Sequence, residues 1–175
     1  MLNAVAALAM ANSYGISLPV IAKALLSFKG IKRRFSYKIK TDKLVLIDDY
    51  AHHPTEITAV ASSVREMYPN KKIVGVFQPH LFSRTRDFAD DFARSLSQFD
   101  EVILLDIYPA RELPIAGITS EWLLKKIKNP NKQLTSKLEL IQKIHESKAQ
   151  VLLTIGAGDI GEEVKHIKKE FSVAS

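Results

Sequence analysis

Apolar residues in six stretches of the chain follow patterns typical of β-strands. The first stretch, FSYKIK (35–40), alternates apolar and polar positions, as an edge strand does. KLVLIDD (43–49) is instead a continuous apolar run, the pattern of a strand buried on both faces of a sheet. Three further runs resemble it and a fourth is weaker: KIVGVF (72–77), EVILLDIY (101–108), QVLLTIG (150–156) and the weaker KQLTS (132–136). The chain therefore predicts a sheet of about six strands.

Helical patterns lie before and between these strands. Apolar residues recur at helical spacing in the stretches 1–12, 18–28, 54–67, 83–98, 119–127, 137–147 and 160–171. Because strands and helices alternate with short connections, the order predicts an α/β fold. We expect a mostly parallel sheet with one antiparallel edge strand and with helices on both faces.

A change of pattern marks a boundary close to residue 31. The alanine-rich sequence before it predicts a pair of helices, the second beginning near Pro19 and ending at Gly30. From Arg34 onward the strand patterns begin. We therefore expect residues 1–31 to form a helical segment distinct from an α/β domain of residues 32–175.

Composition narrows the possible functions. Apolar residues make up 46% and charged residues 25%, as in an ordinary globular protein, and the absence of cysteine excludes disulfides and thiolate chemistry. The net charge of +6 is scattered except in KGIKRRFSYKIK (29–40), which we interpret as solvated surface, so we expect no nucleic-acid partner. The apolar N-terminus lacks a basic leader and is interrupted by Asn3, Asn12, Ser13 and Gly15, and no later segment reaches the roughly 18 uncharged residues of a membrane helix. The sequence thus predicts a soluble protein without a membrane partner.

Chemically versatile residues follow four of the predicted strands. In parallel sheets, ligands bind at the carboxyl ends of the strands, where loops meet helix N-termini. The loops at these positions are IDDYAHHP (47–54), FQPHLFSRTRDF (77–88), DIYPARELPI (106–115) and IGAGDIG (155–161). We expect all four to converge on one edge of the sheet.

The first of these loops combines Asp49, Tyr50, His52 and His53. Any one of these residues alone is more often a strand-end acid or an ordinary loop residue. Together, at a predicted ligand-binding edge, they favour a functional site. Pro54 is suited to the first position of the helix that follows.

The second loop offers His80, Arg84 and Arg86. Arginine binds carboxylates and phosphates with a two-pronged fork, so this loop predicts an anionic ligand. Helical spacing would place His80 beside Arg84. The alternative is that both arginines pair with acids on the helix surface, at Asp87, Asp90 or Asp91.

The remaining motifs are less specific. The glycines of IGAGDIG have the G-x-G-x-x-G spacing of a phosphate-binding loop, but close backbone packing explains them equally well. The chain has no HExxH, no GxSxG and no GxxxxGK[ST] motif. We therefore expect no dedicated metal site, and no phosphate-binding P-loop for ATP, within these residues.

Taken in order, DDYAHHPTEI, FQPHLFSRTRDF, LLDIYPARELPIAGITS and LLTIGAGDI resemble the C-terminal part of the Mur ligases of bacterial peptidoglycan synthesis. LNAVAALAMA and GIKRRF resemble the end of the central ATPase domain and the entry into the Rossmann-like last domain. The resemblance implies a cytoplasmic enzyme that uses ATP and Mg²⁺ to add L-alanine to UDP-N-acetylmuramate through an acyl phosphate. It also implies partner N-terminal and central domains, the latter carrying the main phosphate and metal site, so we expect residues 1–175 alone to be inactive.

The resemblance also implies roles for individual residues. Asp49 would bind the ATP ribose and Asn3 would lie near the adenine. Tyr50 would line the alanine pocket, and His52 would lie near phosphate and the amino acid. The set that holds the alanine carboxylate and stabilises the transferring charge comprises His80, Arg84 and Arg86, with His52, His80 and Arg84 as the catalytic candidates.

Three alternatives stay open. The first is the related ligase that attaches a ready-made peptide to muramate during recycling; the loop FQPHLFSRTRDF argues against it. The second is a stand-alone module that binds a nucleotide or an amino acid without turnover. The third is a basic nucleic-acid binder, which rests on net charge alone.

Overall fold

The computed structural model describes residues 2–173, and the chain divides into two compact units, Met1–Ile31 and Lys32–Ser175. The first unit is a pair of helices, α1 (Leu2–Ser13) and α2 (Leu18–Ser27). Gly15 has a φ of 83° in the turn between them, a conformation that glycine adopts at little cost. Pro19 lies in the first turn of α2, where its missing N–H has no helical partner to lose.

The second unit is built on one sheet of six strands. They are β1 (Ser36–Lys40), β2 (Val45–Asp49), β3 (Ile73–Phe77), β4 (Glu101–Leu104), β5 (Lys132–Leu134) and β6 (Val151–Ile155). Their order across the sheet is β1-β2-β6-β3-β4-β5. β1 pairs with β2 in the antiparallel sense and the other pairs are parallel, so the prediction of a mostly parallel sheet with one antiparallel edge strand is confirmed.

Six helices connect or follow the strands of the second unit within the described residues. They are α3 (Pro54–Met67), α4 (Phe82–Asp87), α5 (Ala89–Leu96), α6 (Ser120–Lys126), α7 (Leu140–Ser147) and α8 (Ile160–Val173). The prediction of one helix over residues 83–98 is wrong, because the helix is interrupted at Phe88. There the backbone has φ −114° and ψ 20°, and the ring packs 4.8 Å from that of His53.

The strand interiors form two apolar cores, one on each face of the sheet. Successive side chains of a strand point to opposite faces, so Val45 and Ile47 of β2 join one core and Leu46 joins the other. Helices α3, α5 and α6 cover the first core, which includes Phe77 and Phe92. Helices α7 and α8 cover the second. The prediction of helices on both faces is confirmed.

The parallel strands end together at one edge, and backbone hydrogen bonds continue beyond them. The N–H of Gly156 donates to Asp49 O at 3.3 Å and that of Gln78 to Ile155 O at 3.0 Å. The N–H of Leu105 donates to Phe77 O at 2.9 Å. These bonds join the loops after β2, β6, β3 and β4 into one continuous rim, which we call the carboxyl edge.

None of the helices within residues 2–173 combines the length and the apolar character needed to cross a membrane.

Candidate functional site

The turn after β2 is held by a reciprocal helix cap. His53 is the N-cap of α3, and its Nδ1 accepts the N–H of Thr55 at 3.4 Å. Glu56 reaches back, and its Oε2 accepts the N–H groups of His52 at 2.9 Å and His53 at 3.2 Å. The cap satisfies amide groups that a helix start leaves unpaired, and it fixes the direction in which His52 leaves the chain.

Charge also acts on the cap. Partial burial would raise the pKa of Glu56, but the N–H bonds from His52 and His53 and the positive charges of His52 and Arg34 outweigh it and lower the pKa. Glu56 is therefore ionised at neutral pH, as the cap requires.

The two acids at the end of β2 have different surroundings. Asp48 is buried, and its carboxylate lies 3.4 Å from Arg33 Nε and 3.8 Å from Lys38 Nζ. It is therefore a structural acid that fastens the start of the domain to the sheet. Asp49 is 8% exposed, and its two oxygens accept the N–H groups of Ala51 at 2.8 Å and Phe35 at 2.7 Å. A carboxylate has about four acceptor directions, so each oxygen of Asp49 keeps capacity for a ligand hydroxyl.

Asp49 and Tyr50 line a cavity of about 330 Å³ between the end of β2 and α3. Its walls combine apolar surface from Phe35 and Val60 with the carboxylates of Asp49 and Glu56. An apolar wall with a few polar groups is the usual composition of a small-molecule site.

A row of rings runs from this cavity along the carboxyl edge. The ring centroids of Tyr50 and His52 are 5.3 Å apart, those of His52 and His80 are 6.2 Å apart, and those of His80 and Tyr108 are 5.7 Å apart. The last pair is stacked, with planes 24° apart. The structure therefore brings together Tyr50 and His52 of the first loop and His80 of the second, with Tyr108 closing the row.

His52 has a defined tautomer. Its Nδ1 lies 3.0 Å from the carbonyl oxygen of Tyr50, which can only accept, so Nδ1 carries the proton. In the neutral ring, Nε2 is then the acceptor. His52 thus presents a basic nitrogen, as proton transfer requires.

His80 and Arg84 each place a buried nitrogen at the edge. His80 Nδ1 and Arg84 Nη1 have almost no contact with solvent and no hydrogen-bond partner among residues 2–173. Burial lowers the pKa of His80, as do the charges of Arg84 and His52, whereas Glu112 acts in the opposite direction. Buried polar groups are normally paired, so these two nitrogens indicate a place for a ligand.

The geometry around Arg84 and Arg86 differs from the sequence expectation. α4 begins at Phe82, so His80 precedes the helix, and its position follows from pairing with Tyr108 rather than from helical spacing. Arg86 Nε binds the Asp87 carboxylate at 2.7 Å on the surface, as the ion-pair alternative predicted for it. Arg84 is therefore the arginine of this loop whose guanidinium has a buried, unpaired nitrogen.

The glycines of the loop after β6 are packed against the chain's own side chains. A Cβ on Gly158 would lie 2.4 Å from Gln78 Oε1 and 2.8 Å from Tyr108 Cβ, and one on Gly161 would lie 2.8 Å from the Arg33 guanidinium. Gly156 has a φ of 144° and lies against Gln78 O. Close packing therefore accounts for this loop without a phosphate.

One predicted site residue belongs to the first unit. Asn3 is on α1 in the first unit, with an exposed side chain. Within residues 2–173, no group of three or more histidine and acidic side chains is arranged to hold a metal ion.

Residues 33–160 match the family model described as the Mur ligase, glutamate ligase domain. The chain belongs to the Mur ligase family. The match extends over β1 to β6 and includes each of the loops at the carboxyl edge. The resemblance inferred from the four ordered motifs is therefore confirmed.

Two Mur ligases named for L-alanine illustrate the similarity. The UDP-N-acetylmuramate–L-alanine ligase of Christiangramia forsetii is 68% identical over 97% of this chain and 37% of its own length. The crystal structure of the UDP-N-acetylmuramate–alanine ligase of Thermotoga maritima matches 99% of this chain and 38% of its own, with a TM-score of 0.79 and 30% identity. The chain thus spans a little over a third of these relatives.

A Mur ligase of different name shares the fold. The murein peptide ligase of Psychrobacter arcticus covers 95% of this chain and 35% of its own, with a TM-score of 0.66 and 23% identity. At this identity the likeness concerns the fold alone.

Sequence reasoning missed three residues that support this Mur ligase edge. Tyr108 stacks on His80, Gln78 fills the glycine loop, and Glu112 binds the start of α4. Their contacts join residues far apart in sequence, so no local signal identifies them.

Proposed function

We propose that this chain is the C-terminal part of an ATP-dependent ligase that joins L-alanine to UDP-N-acetylmuramate in the bacterial cytoplasm. The observation that carries the proposal is the pair of buried, unpaired nitrogens, His80 Nδ1 and Arg84 Nη1, beside the basic nitrogen of His52. An amino acid presents a carboxylate, which can accept from Arg84 Nη1 and from His80 Nδ1 in the tautomer that protonates it. It also presents an ammonium group that must lose a proton before it can attack.

The arrangement suggests how the edge acts on L-alanine. Arg84 and His80 hold the carboxylate, while Tyr50, which is 40% exposed, borders the space for the methyl group. His52 Nε2 accepts a proton from the ammonium group. Holding the amine in the correct orientation replaces an encounter in solution, which is worth several kcal/mol of the barrier.

ATP supplies the phosphoryl group that converts the muramate carboxylate into an acyl phosphate; the amine then forms the amide bond and phosphate leaves. The cavity beside Asp49 is suitable for part of the nucleotide, because its apolar wall can pack on a flat ring system and Asp49 can accept a ribose hydroxyl. Asn3 and residues 1–31 belong, in this proposal, to the end of the central domain. That domain would hold Mg²⁺ and most of the phosphate contacts.

The runner-up is a ligase that attaches a ready-made peptide. The relatives named for L-alanine favour the first reading, since identity to one of them reaches 68%, whereas the murein peptide ligase is 23% identical.

The test is a chimera in which this chain replaces the matching C-terminal segment of the Christiangramia forsetii ligase. We expect phosphate release that requires both UDP-N-acetylmuramate and L-alanine. Arg84→Ala should lower kcat/KM for L-alanine at least about 100-fold, because one charged donor to a reacting ligand is worth roughly 3 kcal/mol.

The matched control is Arg94→Ala, since Arg94 is an exposed arginine of α5 paired with Asp91; its activity should equal that of the parent. Turnover with a tripeptide but not with L-alanine would establish the runner-up. Equal activity of Arg84→Ala and Arg94→Ala would show that Arg84 does not bind the substrate.

A further inference from the structure

The helix that carries Arg84 is short and has no cap of its own. α4 has six residues, too few to be stable in isolation. Its N-cap, Leu81, has a φ of 73° and contributes no side-chain hydrogen bond. Something outside the helix must therefore determine where α4 begins.

Glu112 provides that contact from 29 residues further along the chain. One carboxylate oxygen accepts the N–H of Ser83 at 2.9 Å, and the other accepts the Ser83 hydroxyl. Because Ser83 binds both oxygens of the Glu112 carboxylate, the two hydrogen bonds restrain both the position and the orientation of Ser83. Ser83 directly precedes Arg84 in the chain.

The loop that carries Glu112 is itself attached to the site. The N–H of Tyr108 donates to Pro79 O at 2.8 Å, and the N–H of Leu81 donates to Tyr108 O at 2.9 Å. A turn then brings the N–H of Glu112 to Pro109 O at 2.9 Å. Glu112 therefore lies in a turn that these backbone hydrogen bonds connect to the segment carrying His80.

We propose that Glu112 is a positioning residue: by binding Ser83 it sets the start of α4 and thereby places Arg84 beside His80 for the ligand. The role for the ligand rests on the proposed function; the placement of the two side chains does not. Arg84 Nη1 has no partner among residues 2–173 that would hold it in place, so its position depends on the backbone that Glu112 fixes.

Charge gives this placement a spectroscopic signature. The charged groups that act on His80 are Arg84 and His52, which lower its pKa along with burial, and Glu112, which raises it. The Ser83 hydroxyl and N–H lower the pKa of Glu112, so Glu112 stays ionised while His80 titrates. Loss of the Glu112 charge must therefore shift the titration of His80 to lower pH.

The test compares Glu112→Gln and Glu112→Ala with the matched pair Glu146→Gln and Glu146→Ala in the 175-residue chain. Glu146 also accepts hydrogen bonds on both oxygens, from Gln142 and Lys143, but it lies at the end of α7 that leads into the amino end of β6. NMR follows the His80 ring, assigned among the five histidines with His80→Gln, together with the Ser83 amide and the Arg84 side chain.

Both Glu112 variants should lower the His80 pKa. Glu112→Ala should also speed Ser83 amide exchange about 10-fold or more, because a hydrogen bond to a charged group is lost, whereas Glu112→Gln should keep part of the protection. Neither Glu146 variant should change these signals. Unchanged His80, Ser83 and Arg84 signals in Glu112→Ala would overturn the proposal.

The same variants in the chimera test the consequence for the ligand. Glu112→Ala should raise KM for L-alanine about 10-fold with a smaller change in kcat, and Glu112→Gln should recover part of the loss. A KM equal to that of the parent would refute a positioning role. A chimera without any turnover would instead contradict the proposed function, and the NMR comparison would still decide whether Glu112 places Arg84 beside His80.

Discussion

Replacing Gln78 with alanine tests whether the glycine loop is held by packing, as the structure indicates. Gln78 follows β3 and is 3% exposed. Its Oε1 accepts the N–H of Ile160 at 2.9 Å, and its Nε2 donates to Asp159 Oδ1 at 2.8 Å. One side chain thus satisfies the first amide of α8 and orients the acid before it.

The cost of the substitution can be worked out from these contacts. Gln78→Ala leaves the buried N–H of Ile160 without its acceptor, which costs about 1–3 kcal/mol. It also removes one buried methylene group, worth about 0.8 kcal/mol. We expect the free energy of unfolding to fall by roughly 2–4 kcal/mol and the melting temperature by about 5–15 °C for a chain of this size.

Urea denaturation followed by fluorescence measures the change, because the single tryptophan, Trp122, packs against the core of the second unit. Gln142→Ala is the matched control: its amide binds Glu146 on the exposed face of α7, so its effect should stay within about 0.5 kcal/mol. If Gln78→Ala were as stable as Gln142→Ala, the packing explanation of the glycine loop would be refuted.

Two further changes test the sheet and the cap. Gly75→Ala should lower the free energy of unfolding by about 1–3 kcal/mol, because its Cβ would lie 2.8 Å from the Phe99 ring. Urea denaturation should show that the double variant Gly75→Ala/Phe99→Leu recovers part of this loss, because the smaller Leu side chain makes room for the Cβ. Additive losses in the double variant would contradict this explanation. The Glu56 side chain is 40% exposed, so solvent screening limits its contribution to stability to about 1 kcal/mol or less. Because its pKa is lowered, this contribution is present above the unfolded pKa and is lost as pH falls through the folded one. Glu56→Gln should therefore be less stable than the parent in urea at pH 7 and equal to it near pH 3; an equal difference at both values would exclude the charge as the cause.

Most of the fold could be predicted because it depends on local patterns. Continuous apolar runs in β2, β3 and β6 reflect burial on both faces, and each strand lies within its predicted stretch. The alternation in β1 reflects its place at the edge. The break at Phe88 had no such signal, since residues 83–98 keep helical spacing throughout and the break coincides with a tertiary contact to His53.

The candidate site could be predicted only as far as topology determines it. Parallel strands bring their carboxyl ends to one edge, so the convergence of the His52 and His80 loops followed from the order of elements. The pairs Ser83–Glu112 and Gln78–Asp159 are separated by 29 and 81 residues. No local pattern identifies such partners, because tertiary packing selects them.

The unpaired nitrogens of His80 and Arg84 are the part of this edge that folding alone does not explain. Each desolvated polar group without a partner costs about 1–3 kcal/mol, and elsewhere this chain satisfies comparable groups over long distances, as Gln78 does for Ile160. Glu112 binds Ser83 and Tyr108 stacks on His80, so both contacts restrain the segment that carries the two nitrogens. Neither contact supplies a hydrogen-bond partner to His80 Nδ1 or Arg84 Nη1. A segment fixed so closely could relax to pair them only by giving up those contacts. The cost is offset if a ligand carboxylate accepts from Arg84 Nη1 and from His80 Nδ1 in the tautomer that protonates it, which is why the geometry favours a binding site over an incidental packing defect.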